Sequence, residues 1–104
     1  MNSPVISKQY QDKIDALPDI QGFGAPQQGF IRGNLASDKK TYRTLGEAQR
    51  AAKATPECTG FTSLPSGGWN LRIDTYVKTN AGSIRRMDVS FLKVQYHQPQ
   101  RDEL

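Results

Sequence analysis

Residues 44–72 read TLGEAQRAAKATPECTGFTSLPSGGWNLR, and signals for a helix, a strand, a turn and a second strand follow one another in this stretch. Thr44 and Glu47 have the spacing of a capping box, in which each side chain accepts a hydrogen bond from the backbone N–H of the other residue. Pro56 disfavours helical backbone at the residue before it. We therefore expect a helix over residues 45–55, with small residues such as Ala48 facing a sheet.

Extended structure is predicted after this helix. Residues 58–63 are a candidate strand, and a turn that contains proline and glycine follows them. Apolar and polar residues then alternate strictly over residues 69–78, which predicts one half-buried antiparallel strand. A hairpin loop is expected at residues 79–83. The strand that returns from it changes phase, so we expect a bulge or bend near Phe91 and Leu92.

The first part of the chain carries weaker signals. Tyr10, Ile14 and Leu17 share one side of a short helix that ends before a proline. Residues 21–34 contain four glycines and one proline, which predicts irregular backbone leading into a short strand near residues 29–32. A phosphate-binding glycine loop is excluded here, because its Gly-Lys-Ser/Thr or dinucleotide spacing is absent.

Together these signals predict a small α+β fold. Residues 42–96 form its core domain, an antiparallel sheet of about four strands packed against one main helix. Residues 1–41 form an irregular N-terminal arm that contains the short helix, and residues 97–104 form a flexible tail. A chain of 104 residues has room for one domain with one modest core.

Positive charge is concentrated in the second half of the chain. Residues 69–96 contain five cations and two carboxylates, a net charge of +3 out of the chain's +4. Cations next to an aromatic side chain favour an anionic ligand or an acidic partner, whereas a solvated strand face would explain the same charges. The candidate face for such a ligand or partner consists of Arg72, Tyr76, Lys78 and Arg86.

Cysteine content and the chain ends bear on the compartment. Cys58 is the only cysteine, so no intrachain disulfide forms and a reducing compartment is favoured. No stretch approaches the roughly 20 apolar residues of a membrane-spanning helix, and we expect no secretory signal at the N-terminus. The final residues, RDEL, resemble a retention signal of the KDEL type. That resemblance would indicate the endoplasmic reticulum lumen only if a leader had been removed.

The residues needed for catalysis or metal binding are not found in a suitable pattern. His97 is the only histidine, and it lies beyond the last predicted strand, so Cys58 is expected to be a buried apolar residue. Asp74 and Asp88 are the candidate carboxylate pair for glycoside hydrolysis, but surface ion pairing with nearby arginines is the simpler role. We therefore predict no enzymatic activity, no metal and no cofactor.

The region from residue 42 to residue 96 resembles PAN or apple-like modules. The resemblance is carried by a short helix ending at a proline, a Cys-x-Gly-Phe-Thr strand from Cys58, and an aromatic-x-Leu strand from Trp69. It implies a small curved sheet covered by one helix, and a habit of binding carbohydrate or protein. The family commonly joins its helix to the following strand by a disulfide, but the residue six positions before Cys58 is Ala52. The extracellular ligands of the family are discounted accordingly.

The sequence favours a non-enzymatic interaction module, an accessory or structural subunit that docks onto a larger protein assembly. Apolar residues in the N-terminal arm are the expected docking anchors, namely Val5, Ile6, Tyr10 and Phe23. The alternative is a ligand-binding module, either for carbohydrate, as the PAN or apple resemblance implies, or for nucleic acid through the basic hairpin of residues 69–96.

Overall fold

The computed structural model of this chain describes residues 8–33, 40–78 and 87–96, and these residues form a mixed α+β fold. Four strands make one antiparallel sheet in the order β1-β6-β3-β4, and β2 and β5 make a second, two-stranded sheet. The predicted fold class is confirmed. The elements are α1 (Lys8–Asp15), β1 (Gln27–Gln28), β2 (Phe30–Ile31), α2 (Leu45–Ala54), β3 (Gly60–Ser63), β4 (Trp69–Arg72), β5 (Val77–Lys78) and β6 (Val89–Leu92).

Helix α2 begins at the predicted capping box. The Thr44 hydroxyl accepts a hydrogen bond from the Glu47 N–H at 3.1 Å, and the Glu47 carboxylate accepts one from the Thr44 N–H at 3.2 Å. The helix ends at Ala54, one residue before the predicted end. Ala48 and Ala52 are fully buried, because side chains of this size let the helix axis lie close to the sheet.

An aromatic core fills the space between α2 and the four-stranded sheet. Phe61 on β3 lies directly across from Leu71 on β4 and from Phe91 on β6. The Phe61 ring centroid is 5.1 Å from that of Phe23 and 5.5 Å from that of Trp69, both in edge-on arrangements. Edge-on packing of this kind adds about 0.5–1.5 kcal/mol per pair beyond the buried area.

The opposite face of the sheet is covered as well, and this makes the predicted bulge at Phe91 and Leu92 wrong. Strands β3 and β6 pair without interruption through this region. All four residues of β6 are buried, since Phe91 faces α2 while Leu92, across from Gly60, lies on the side where Ile31 of β2 packs. A sheet buried on both faces needs no change of phase to hide consecutive apolar residues.

Hydroxyl groups connect β2 to this second face. The Ile31 N–H donates to the Thr62 hydroxyl at 3.0 Å, and the Thr62 and Ser90 hydroxyl oxygens lie 2.8 Å apart. The Ser90 hydroxyl donates to the Gly29 carbonyl oxygen at 2.7 Å. Because Ser90 uses its proton on Gly29, Thr62 is the donor between the two hydroxyls. These hydrogen bonds therefore form one chain of donors and acceptors, which runs from Ile31 through the two hydroxyls to Gly29.

The single long strand predicted over residues 69–78 is two strands. After β4 the chain stops pairing with β3. The Ile73 N–H donates to the Gly33 carbonyl oxygen at 3.0 Å, and the Asp74 N–H donates to the Arg32 carbonyl oxygen at 3.2 Å. Strand β5 then pairs with β2 in the second sheet. As a result Ile73, an apolar residue of the predicted half-buried strand, is 40% exposed.

The boundary predicted between an arm and a core at residue 41 is not present in the fold. Strand β1 pairs with β6 of the main sheet, and β2 forms at the position expected for a strand. Phe23 bridges to Lys93, which leaves one extra residue on the N-terminal side before Gln27 pairs with Ser90. Residues 1–7, the hairpin loop predicted at 79–83 and the tail predicted at 97–104 lie outside the described ranges.

Candidate functional site

The face predicted from Arg72, Tyr76 and Lys78 is divided by the strand break. Arg72 ends β4 and is half-buried directly across from Gly60, whereas Lys78 is exposed on β5, in the other sheet. Tyr76 lies between the two strands and is 52% exposed. The three side chains therefore do not follow one alternating strand face. Arg86, the fourth residue of the predicted face, lies outside the described residues.

Tyr76 instead lines a small groove together with Tyr96, a residue outside the predicted face. This tyrosine groove has a volume of about 150 Å³ and brings Tyr76 close to Tyr96. Both belong to segments that follow a strand, so no periodic pattern connects them. Its lining residues are Gln27, Thr75, Tyr76, Val77, Leu92 and Tyr96.

A larger opening lies at the start of α2, and we call it the basic cleft. Its volume is about 420 Å³, and its lining residues are Lys40, Thr41, Tyr42, Arg43, Glu47 and Arg50. The sequence signal for it was the run KTYR at residues 40–43, directly before the capping box. The capping box by itself predicts only a helix start, and it gives no reason to group these cations.

The wall of the basic cleft is held by strand-like pairing. Tyr42 and Trp69 exchange two backbone hydrogen bonds, of 2.8 and 2.7 Å. The Asn70 side-chain amide donates to the Lys40 carbonyl oxygen at 3.0 Å. Gly68 has a φ of +87°, and a Cβ there would lie 2.6 Å from the Thr41 methyl group. Residues 40–42 therefore pack closely along the outer edge of β4.

Positive charge dominates the basic cleft. Lys40, Arg43 and Arg50 are exposed cations, and Glu47 is the single carboxylate among the lining residues. One oxygen of that carboxylate accepts the N–H groups of both Arg43 and Thr44, at 3.1 and 3.2 Å. Within the described ranges, neither Arg43 nor Arg50 forms a salt bridge. The cleft can therefore attract an anion and donate hydrogen bonds to it.

The predicted anchors Tyr10 and Phe23 face the interior of this chain and not a partner. Phe23 is 9% exposed and packs on Phe61. Tyr10 is 6% exposed; its hydroxyl donates to the Asp88 carbonyl oxygen and accepts from the Gly29 N–H at 3.0 Å. Burial raises the pKa of Tyr10, the Gly29 hydrogen bond lowers it in part, and Asp88 raises it further. Val5 and Ile6 lie outside the described residues.

The other residues considered for catalysis or metal binding, Cys58 and Asp88, are buried within the fold. Cys58 is fully buried, and its thiol donates to the Gly60 carbonyl oxygen at 3.1 Å. Asp88 is only 1% exposed, so the surface position expected for it is wrong. Among the described residues no group of three His, Cys, Asp or Glu side chains could hold a metal ion. No helix in the same ranges is both long and apolar enough to cross a membrane.

Comparisons with models of known families, with curated proteins and with solved structures found no match to this chain.

Proposed function

We propose that this chain is a non-enzymatic interaction module that docks onto a partner protein in a larger assembly. The observation that carries the proposal is the basic cleft, where three exposed cations and a half-buried tyrosine surround an open space of about 420 Å³. Electrostatic complementarity steers an oppositely charged partner to such a surface and selects against others.

The groups that line the basic cleft favour binding over catalysis. Nucleophilic catalysis needs a nucleophile beside a base that a third group orients. The hydroxyl-bearing residues here are Thr41 and Tyr42, and the Glu47 carboxylate is hydrogen-bonded to the helix start. What remains available is positive charge, hydrogen-bond donation and aromatic contact, which are the properties of a recognition surface.

Affinity capture from native extract tests this proposal. We expect the immobilised chain to retain a partner, and Arg43→Glu to reduce its recovery at least about tenfold, since like charges across an interface cost several kcal/mol. Arg32→Glu is the matched control, because Arg32 is an exposed arginine that does not line the cleft. A chain that retains no partner, or equal losses in the two variants, would refute the proposal.

Nucleic-acid binding is the second candidate, and the tyrosine groove is the observation that favours it. Bases of single strands stack on aromatic side chains, each contributing about 1–3 kcal/mol. Tyr76 and Tyr96 line one groove, and Lys78 and Lys93 each directly follow one of its lining residues in the chain. The carbohydrate alternative rests on the PAN or apple resemblance.

A salt titration separates these ligand classes. Binding of a labelled single-stranded oligonucleotide should weaken steeply between about 50 and 200 mM salt, because counterions are released from the phosphates. Tyr76→Ala should weaken it further, while Val94→Ala should not, since Val94 is 64% exposed and does not line the groove. Binding on a glycan array without such salt dependence would favour carbohydrate.

A further inference from the structure

We infer that the basic cleft binds an extended, acidic peptide segment of the partner, which pairs with the backbone of Thr41 while its carboxylates contact Arg43 and Arg50. This inference rests on the proposed docking function and deepens it by naming the chemistry of the partner segment. Three features of the described residues support it: the direction of the Thr41 backbone, the charge balance of the cleft, and the positions of the other cations.

The backbone of Thr41 lies at a strand edge with which no described residue pairs. Tyr42 donates to the Trp69 carbonyl oxygen and accepts from the Trp69 N–H, so this pair points its backbone groups toward β4. In an antiparallel pair the residues on either side point their N–H and C=O groups the opposite way. Arg43 accordingly donates its N–H to the Glu47 carboxylate. Within the described ranges the Thr41 backbone groups make no hydrogen bond.

An exposed backbone donor and acceptor in extended structure can pair with an added peptide strand. Thr41 itself lines the basic cleft, so a peptide that pairs there lies inside it. Alternate side chains of an extended peptide point in the same direction. Acidic residues at alternate positions would therefore face one wall of the cleft together.

The charge balance of the basic cleft selects carboxylates for those positions. Arg43 and Arg50 lack salt-bridge partners among the described residues. The Arg50 guanidinium lies over the first turn of α2, 3.4 Å from where a Cβ on Gly46 would be. A guanidinium binds a carboxylate through two parallel hydrogen bonds, and this pairing is stronger than one between neutral groups.

A peptide fits this arrangement better than a nucleic acid does. A nucleic-acid backbone has no amide groups to pair with Thr41, and its recognition needs a stripe of cations along the strand. Three lysines outside the cleft already have partners. They are Lys8, bound to Asp12, Lys13, bound to the Met87 carbonyl oxygen, and Lys93, bound to the Thr55 carbonyl oxygen.

Fluorescence anisotropy with short labelled peptides tests the inference on the full chain. The probe is a peptide in which glutamate and valine alternate. Its comparisons are the same peptide with glutamine at each glutamate, and one with N-methylated backbone amides. We expect at least about tenfold weaker binding of the glutamine peptide and of the N-methylated peptide, since one loses the charge and the other the strand pairing.

Variants of the chain assign the binding to the cleft. Arg43→Gln and Arg50→Gln should each lower the affinity for the glutamate peptide about tenfold, in line with the loss of a charge-assisted hydrogen bond. Arg32→Gln should leave this affinity unchanged. Equal thermal unfolding temperatures show that the variants are folded. Equal binding of the glutamate and glutamine peptides, full binding of the N-methylated peptide, or insensitivity to Arg43→Gln would overturn the inference.

The outcomes also separate this inference from the docking function. If affinity capture recovers a partner through Arg43 but the glutamate peptide does not bind, the peptide inference fails and the docking function stands. If the peptide binds through Arg43 and no partner is retained from extract, the docking function fails and the peptide site stands. Displacement of the peptide by a single-stranded oligonucleotide that needs Arg43 assigns the cleft to nucleic acid and overturns the inference.

Discussion

The Tyr10 side chain connects helix α1 to two parts of the chain that are distant from it in sequence. Its hydroxyl donates to the Asp88 carbonyl oxygen just before β6 and accepts from the Gly29 N–H between β1 and β2. Because the ring is buried, the hydroxyl could not replace these partners with water. A side chain predicted to anchor a partner is therefore a structural link inside this chain.

The raised pKa of Tyr10 predicts a loss of stability in alkali. The folded state keeps the phenol proton to higher pH than the unfolded chain, whose tyrosines titrate near pH 10. The Tyr10 contribution is thus complete below about pH 10 and is lost as the pH rises through the folded pKa. Urea unfolding from about pH 9 to about pH 11 should show a decline that is smaller in Tyr10→Phe.

The matched control for this measurement is Tyr76→Phe, which removes the same hydroxyl group from a side chain that is 52% exposed. That variant should follow the wild-type decline. Equal pH dependence in Tyr10→Phe and the wild-type chain would contradict the prediction.

Gly60 lies where the sheet leaves no room for a side chain. A Cβ there would be 2.1 Å from the Phe91 carbonyl oxygen and 2.8 Å from the Ile31 Cδ1. Gly60→Ala should therefore lower the free energy of unfolding by about 3 kcal/mol or more, measured by urea denaturation. Gly46→Ala is the control: on the first turn of α2 it should change stability by about 0.5–1 kcal/mol in the favourable direction. Similar losses in both variants would contradict this account.

At the scale of elements, α2 and the hairpin of β3 and β4 form where local signals predict them. The capping box starts the helix, and a turn at Gly67 and Gly68, both with positive φ, joins the strands. Strand β4 ends at Arg72 for a reason that local signals do not contain. Its continuation bonds to Gly33 and Arg32, which come from a distant part of the chain.

The stability of α2 should depend on the capping box at its first turn. Thr44→Ala removes the hydroxyl that accepts the Glu47 N–H, and should cost about 1 kcal/mol of unfolding free energy. Thr44→Ser keeps an acceptor and should cost much less. Thermal unfolding followed by circular dichroism measures both, and an alanine variant as stable as the serine variant would count against the role of the cap.

At the scale of the whole molecule, the N-terminal segment is part of the core. Residues 8–33 supply the buried Tyr10, Phe23 and Ile31, and β1 covers the outer edge of β6. A sheet deprived of this segment would expose its second face and an unpaired strand edge to water. The basic cleft proposed for docking is lined by none of these residues.

A fragment of residues 42–96 should not fold alone. The apolar surface buried by Tyr10, Phe23 and Ile31 contributes about 1.5–3 kcal/mol per side chain, a total comparable with the roughly 5–15 kcal/mol net stability of a folded domain. Circular dichroism and a narrow spread of amide proton chemical shifts in NMR spectra should indicate an unfolded fragment. Addition of a peptide covering residues 1–41 should restore structure. A fragment that unfolds cooperatively at the temperature of the full chain would instead support an independent core.

Parts of the candidate site illustrate what sequence reasoning reaches. Tyr76 is an exposed aromatic residue of the predicted face, but no periodic pattern links it to Tyr96, which lines the same groove. The cations of the basic cleft were missed because the cleft exists only once Tyr42 pairs with Trp69. Such a pairing depends on backbone geometry that neither residue specifies locally.

The sequence by itself determined α2, the strands on either side of the turn at Gly67 and Gly68, and the α+β class, because capping, turn and periodicity signals act over a few residues. The tertiary structure alone decided that the strand breaks after Arg72, that both faces of the sheet are buried, and that Tyr10 points inward. These features depend on contacts between distant residues, such as Tyr10 with Asp88, 78 positions apart. Their free energy comes from burial and pairing that exist only in the assembled fold.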